Sequence, residues 1–251
     1  MNNEYEDEDL LLQGLLKHTL LSPFRRLLST GRHVLQIEQH SRKSNIVEKQ
    51  THPIHSDNIS QLSNLKELKD ALSTVSHPLR HLSTQLVFSS DPEFETDHTG
   101  QIMVIGEAPG EDEDKQGVPF VGVSGQLLEE ALNAINLKRN RDYYVINIVP
   151  FRPPANRTPD KAEVEFFMPF VRKHVELIKP KLILLVGSTA YKAFLQDSLP
   201  ISKVRGTFFD LYNNIKALVI FHPSYLLRVS SAKQVMWHDL IKLRMHLDGV
   251  K

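Results

Sequence analysis

Four short apolar runs constrain this chain more than any other feature: residues 102–105 (IMVI), 143–149 (YYVINIV), 182–186 (LILLV) and 217–221 (ALVIF). Each is bounded by turn or polar residues, the pattern of a strand buried on both faces of a parallel sheet. Parallel strands cannot be joined by tight hairpins and need crossovers. Segments 125–136, 159–178, 188–195 and 231–247 have the helical character to supply or follow them. Thr158-Pro159 reads as a helix start, with Thr as N-cap and Pro in the first turn. Residues 208–212, followed by Asn213-Asn214, suggest an extra hairpin before the last strand. This rhythm predicts an α/β fold, a three-layer α/β/α sandwich around a four-stranded parallel sheet with right-handed crossovers.

Residues 1–100 lack that rhythm. Residues 10–21 (LLLQGLLKHTLL) fit a short amphipathic helix, and 37–60 are polar and without apolar periodicity, as in a linker. Leu62, Leu65, Leu68 and Leu72 restore helical spacing until Pro78, and 89–100 reads as loop. The expected division is an N-terminal extension at 1–60, partly disordered or helical, and a main domain at 61–251.

With 30 Lys+Arg against 30 Asp+Glu, nothing global draws the chain to a polyanion, so any nucleic-acid site must come from local clustering. No apolar run approaches the roughly 20 residues of a membrane span. The acidic start (Glu4, Glu6, Asp7, Glu8, Asp9) is the reverse of a signal peptide's, and a cytoplasmic monomer is the expectation. The 251 residues include no cysteine, which removes disulfides, thiolate-held metals and a Cys nucleophile.

Open parallel sheets carry their sites at the strands' carboxyl ends. The first exit loop reads GEAPGEDEDKQGVPFVGVSGQLL from Gly106, and lacks both the dinucleotide and the phosphate-loop patterns. By itself it is an ordinary Gly/Pro turn with a solvated acidic run. The second exit gives Asn147 and then Arg152-Pro153-Pro154-Ala155-Asn156-Arg157-Thr158-Pro159; the third gives Gly187-Ser188, a tight turn and helix cap; the fourth gives His222-Pro223-Ser224-Tyr225-Leu226-Leu227-Arg228. A strand-end Asn or a lone His is ordinarily structural. Four loops bringing Glu, Phe, Asn and His to one sheet edge supply what a pocket for a planar heterocycle needs.

GEAPGEDEDKQGVPFVGVSGQLL, NIVPFRPPANRTP and HPSYLL together resemble the family-4 uracil-DNA glycosylases, over about residues 75–247. The resemblance implies hydrolysis of the N-glycosidic bond between uracil and deoxyribose in DNA, leaving an abasic site, and a flipped-out base. It implies that Phe120 stacks on the base and that Asn147 pairs with the uracil edge. Backbone groups of Gly106, Glu107 and Ala108 would complete the pyrimidine contacts. His222 would hydrogen-bond uracil O2 and steady the charge that develops there. The better-known branch has Asp where this chain has Ala108. Glu107 is therefore the first candidate to position water or stabilise the sugar cation, and Glu113 the second. Glu113 is also implied near the pyrimidine C5 side, where it would exclude thymine's methyl.

For the DNA backbone, the Ser124-Gly125-Gln126 turn at a helix start, with Arg157, Ser224 and Arg228, are the candidate contacts. Leu226 or Leu227 would wedge into the space left by the base, or be buried in the helix that follows.

Most members of the resembled family hold a [4Fe–4S] cluster through four cysteines. Here the corresponding positions are near Thr74 and His77, and at Phe151 and Phe167, so no cofactor is expected and aromatic packing would replace the staple. A related covalently trapping branch inserts KRRIH where Arg157-Thr158-Pro159 follows directly, so turnover is expected. Two other readings stay open: a catalytically silent DNA-binding remnant, and a nucleotide-handling or polymerase-associated module with residues 1–60 as an arm for a protein partner.

Overall fold

A computed structural model describes residues 59–250 except Glu95, Tyr212 and Asn213. The expected helix at 10–21 and nearly all of the linker at 37–60 lie outside the described residues; Ile59 is already part of the core. The elements, in chain order, are α1 Leu65–Ser73, α2 Pro78–Leu82, β1 Ile102–Gly106, α3 Glu111–Gln116, α4 Val123–Ala134 and β2 Tyr143–Asn147. They continue with α5 Lys161–Ile178, β3 Leu182–Val186, α6 Ser188–Leu195, α7 Ile201–Val204, β4 Phe208–Asp210, β5 Lys216–Ile220, α8 Pro223–Arg228 and α9 Ala232–Leu247.

The strands form one sheet in the order β2-β1-β3-β5-β4. β1, β2, β3 and β5 are the four parallel strands expected, and β4 pairs antiparallel with β5 at the edge, where a hairpin was expected. Alternate residues of the strands enter two separate cores. Ile102, Val104, Val145, Leu184 and Ile220 pack with α4 and α9, whereas Met103, Ile105, Ile146, Leu185 and Val219 pack with α1, α5 and α6. This period of two makes the middle strands apolar throughout, because both of their faces are covered.

Three local expectations are corrected. The helix after the second exit loop starts at Lys161, not at Thr158-Pro159: Asp160 accepts from the Glu163 N–H at 2.9 Å while Glu163 accepts from the Asp160 N–H at 2.9 Å. That reciprocal capping satisfies two orphan donors, more than Thr-Pro offers. Pro78 does not merely interrupt a helix but begins α2, capped by the His77 side chain. The acidic run after β1 is helix α3 rather than a solvated turn. Its Asp114 is buried and accepts from the N–H groups of Thr84 and Gln85.

The chain runs from β1 to β2 on one side, then crosses to β3 on the other side of β1, so the order reverses between β1 and β3. Crevices in open α/β sheets form at such points. The exits of β1, β2, β3 and β5 all open at that edge.

Candidate active site

Register fixes the floor. Gly106, the last residue of β1, pairs with Asn147, the last residue of β2. A Cβ on Gly106 would lie 2.4 Å from the Phe120 ring and 2.5 Å from Asn147 Oδ1. Only glycine lets ring and amide approach this closely, so the first motif's opening residue is a spacing requirement.

Above that floor is a cavity of about 260 Å³. It falls below the roughly 300 Å³ at which pockets for drug-sized ligands begin, which suits one small ring. β1 contributes Glu107 and Ala108 through its exit loop, the α3–α4 loop contributes Phe120, and β2 contributes Asn147. His222 and Ser224 enter from the β5 exit, and Ser124 from the first turn of α4.

The Phe120 ring is 5.8 Å from the His222 ring, centre to centre. Phe120 is buried and sits at φ 54°, a left-handed conformation that bulky side chains rarely adopt and that costs about 1–3 kcal/mol. Gly125 accommodates it, since a Cβ there would lie 2.1 Å from the Phe120 carbonyl. Asn147 is 5% exposed, and its Oδ1 is buried without a hydrogen-bond partner. A buried amide oxygen left unpaired in the protein is an acceptor awaiting a ligand donor.

His222 lies at the cavity wall, and burial, with a smaller contribution from the Arg228 charge, pushes its pKa down to about 4. The ring is neutral at pH 7. Its Nδ1 accepts from the Ser224 N–H at 3.2 Å and lies 2.8 Å from Ser224 Oγ. The proton is therefore on Nε2, which leaves that nitrogen as a donor.

Glu107 accepts from the Thr189 hydroxyl at 2.5 Å. Glu113 lines the cavity, but both of its oxygens accept backbone N–H groups: Oε2 from Gly110 at 3.0 Å, Oε1 from Val121 at 3.0 Å and Gly122 at 2.9 Å.

The candidates for DNA contact divide. Ser224 is bonded to His222, and Arg157 to the Glu163 carboxylate at 2.6 and 2.7 Å, although both line the cavity. Gly125 is buried behind Phe120, and Gln126 donates to the Val121 carbonyl at 3.2 Å. Leu226 is corrected: at 0% exposure it belongs to the core beside α4 and α9, while Leu227 is 46% exposed. One helical step turns the second leucine outward. Arg228 is exposed beside it.

Thr189, which holds Glu107, Asn156 at the cavity wall and Arg139, whose guanidinium donates to the Phe120 carbonyl, carry no role in the sequence reading. Thr189 follows the Gly187-Ser188 turn at the third strand exit, and that position is its signal. Asn156 sits inside the second motif. Arg139 lies between α4 and β2 and has no local signal.

A family model described as the Uracil DNA glycosylase superfamily matches residues 93–241, more than half of the chain. The chain belongs to the uracil DNA glycosylase superfamily. Among its superfamily relatives, the Type-4 uracil-DNA glycosylase of Thermotoga maritima is 40% identical over 147 residues, covering 57% of this chain and 76% of that protein. The Type-4 uracil-DNA glycosylase of Pyrobaculum aerophilum is 34% identical over 146 residues, covering 55% and 74%. The crystal structure of WT Pedobacter heparinus SMUG2 aligns at a TM-score of 0.38 with 16% identity, covering 60% of this chain and 77% of that one.

The residues of this chain do not fit the [4Fe–4S] cluster implied by the type-4 resemblance. Such clusters need thiolates. The chain has no cysteine, and His77, Phe151 and Phe167 instead pack as rings, with Phe167 lying 4.9 Å from His77 and 5.8 Å from Phe151.

Proposed function

We propose that this chain is a uracil-DNA glycosylase: it hydrolyses the bond between uracil N1 and deoxyribose C1′ in DNA and works without an iron–sulfur cluster. One observation carries the reading. An aromatic ring, an unpartnered buried amide oxygen and a neutral imidazole with its proton on Nε2 line a single cavity sized for one ring. The names of the type-4 relatives supply the substrate.

In this mechanism the deoxyuridine is swung out of the helix at a cost of a few kcal/mol. Its ring stacks on Phe120, which contributes roughly 1–3 kcal/mol. Asn147 Oδ1 accepts from uracil N3–H and its amide donates to O4. Cytosine presents an acceptor at N3, leaving buried groups unmatched at about 1–3 kcal/mol each.

As the C1′–N1 bond breaks, its electron pair stays on the base, and the charge reaches O2. The His222 Nε2–H donates there; a preplaced donor of this kind is worth about 2.7–4 kcal/mol. Glu107, held by Thr189, stabilises the cationic sugar and orients the water whose oxygen bonds to C1′. The water's proton leaves to solvent or Glu107, and the uracil anion takes up a proton on release. Glu113 shapes the C5 side of the cavity through its backbone contacts. For the DNA, the α4 N-terminus at Ser124, with Arg157 and Arg228, contacts phosphate, and Leu227 fills the vacated stack. The reading includes a monomeric protein acting in the cytoplasm, with its catalytic domain at 61–251 and residues 1–60 as an arm for a protein partner.

The test is release of free uracil from a uracil-containing oligonucleotide by the purified full chain, with iron measured on the same sample. Asn147→Ala and His222→Ala should each lower the rate by at least about a hundredfold while sparing DNA affinity. No uracil release by the unaltered protein would leave the silent DNA-binding remnant as the better account.

A further inference from the structure

The loop that carries Phe120 is gripped from two sides by opposite charges. The Arg139 guanidinium donates to the Pro119 carbonyl at 2.5 Å and to the Phe120 carbonyl at 3.0 Å. Glu113 accepts from the N–H groups of Val121 and Gly122. The Phe120 carbonyl and the Val121 N–H are two ends of one peptide unit, so that unit is held at its oxygen by a cation and at its nitrogen by an anion. The preceding unit is held through the Pro119 carbonyl. Both peptide planes flanking Phe120 are therefore fixed, and these planes define its φ and ψ.

That over-determination answers the strain. Phe120 would relax out of its left-handed conformation (φ 54°) unless its surroundings forbade it. Charge-assisted hydrogen bonds are roughly twice as strong as neutral ones, and both jaws are of that kind. Arg139 is 15% exposed at its side chain, with Glu129 3.6 Å away. It is not among the residues lining the cavity.

We propose that Arg139, opposed by Glu113, is a positioning residue for base capture, setting the plane of the Phe120 ring on which the extruded base stacks. This rests on the glycosylase reading above. A planar fork is what the task requires, because two carbonyls at different positions must be met at once; a lysine ammonium meets them as a point charge.

A double-mutant cycle tests it. Single-turnover uracil release is measured for the full chain and for Phe120→Ala, Arg139→Met, Arg139→Lys and the Phe120→Ala/Arg139→Met double variant. Affinity for undamaged DNA is measured alongside. Arg139→Met should slow release about tenfold or more, within the range a lost stacking platform gives, with Arg139→Lys in between. In the Phe120→Ala background the same change should cost less than about threefold, because residues acting through one another are non-additive. Affinity for undamaged DNA should not change. A normal rate in Arg139→Met, or a loss that multiplies in full onto that of Phe120→Ala, overturns the proposal. If Arg139→Met does not fold, Arg139→Lys and Glu113→Gln enter the same cycle. A crystal structure of the Arg139 variant reads the clamp without any catalysis: a displaced ring supports it and an unmoved ring overturns it, even if the unaltered protein releases no uracil.

Discussion

His222 shows how one side chain acquires its role. Its Nδ1 faces the Ser224 amide, which forces the proton to Nε2, and burial keeps the ring neutral down to about pH 4. A neutral donor predicts a pH–rate profile for uracil release that is level from pH 8 to about 5 and falls only as pH approaches 4. A profile that rises below the ordinary histidine value of about 6.5 would mean that imidazolium is the active form. Gly106 acts through absence. Gly106→Ala puts a methyl group against both the Phe120 ring and Asn147 Oδ1, and misplacement near 1 Å can cost about a hundredfold in rate. The expected outcome is a folded protein with uracil release reduced by about that factor, measured beside its unfolding curve.

Among the elements, α5 links the core to the second exit loop. Its Phe167 is fully buried and touches His77, Phe151 and Phe170, tying α5 to the loops after α1 and β2. Removing such a ring from a packed cluster leaves a cavity, and Phe167→Ala should destabilise the fold by about 3–5 kcal/mol in denaturant unfolding. An iron chelator should leave the unaltered protein's midpoint unchanged. The start of α5 is not legible locally: Thr158-Pro159 is a good helix opening by itself, yet Asp160 and Glu163 cap each other and Glu163 also pairs with Arg157. Helix α3 is hidden for a related reason. Its run of Glu and Asp has no apolar face to betray a helix, and its stability comes from contacts with residues 84–85 and 121–122 that local pattern does not contain.

At the scale of the whole molecule, burial holds His174 in the core and His222 at the cavity wall neutral. His174, bonded to the Tyr144 hydroxyl at 2.9 Å, is pushed by burial down to about 3, and His222 to about 4. In the unfolded chain both take up protons as pH falls through about 6.5, whereas the folded rings do not until far lower. Their contribution is complete above about pH 6.5 and is lost as pH falls toward 4, at up to about 1.4 kcal/mol per pH unit for each group. Urea unfolding at pH 7, 6 and 5 should show stability falling as pH falls, more steeply from 6 to 5 than from 7 to 6, and His174→Gln should make that fall shallower by up to about one proton.

The sequence by itself determined the sheet, because strands covered on both faces must be apolar at every position, and that pattern survives without neighbours. It also brought Glu107, Phe120, Asn147 and His222 to one edge, since parallel strands place all their exits on the same side. Tertiary structure alone decided which leucine after His222 is buried, which nitrogen of that histidine holds the proton, and that Arg139 and Glu113 grip one peptide unit. Those outcomes depend on angles and separations between segments distant in the chain, and no local spacing of residues encodes them.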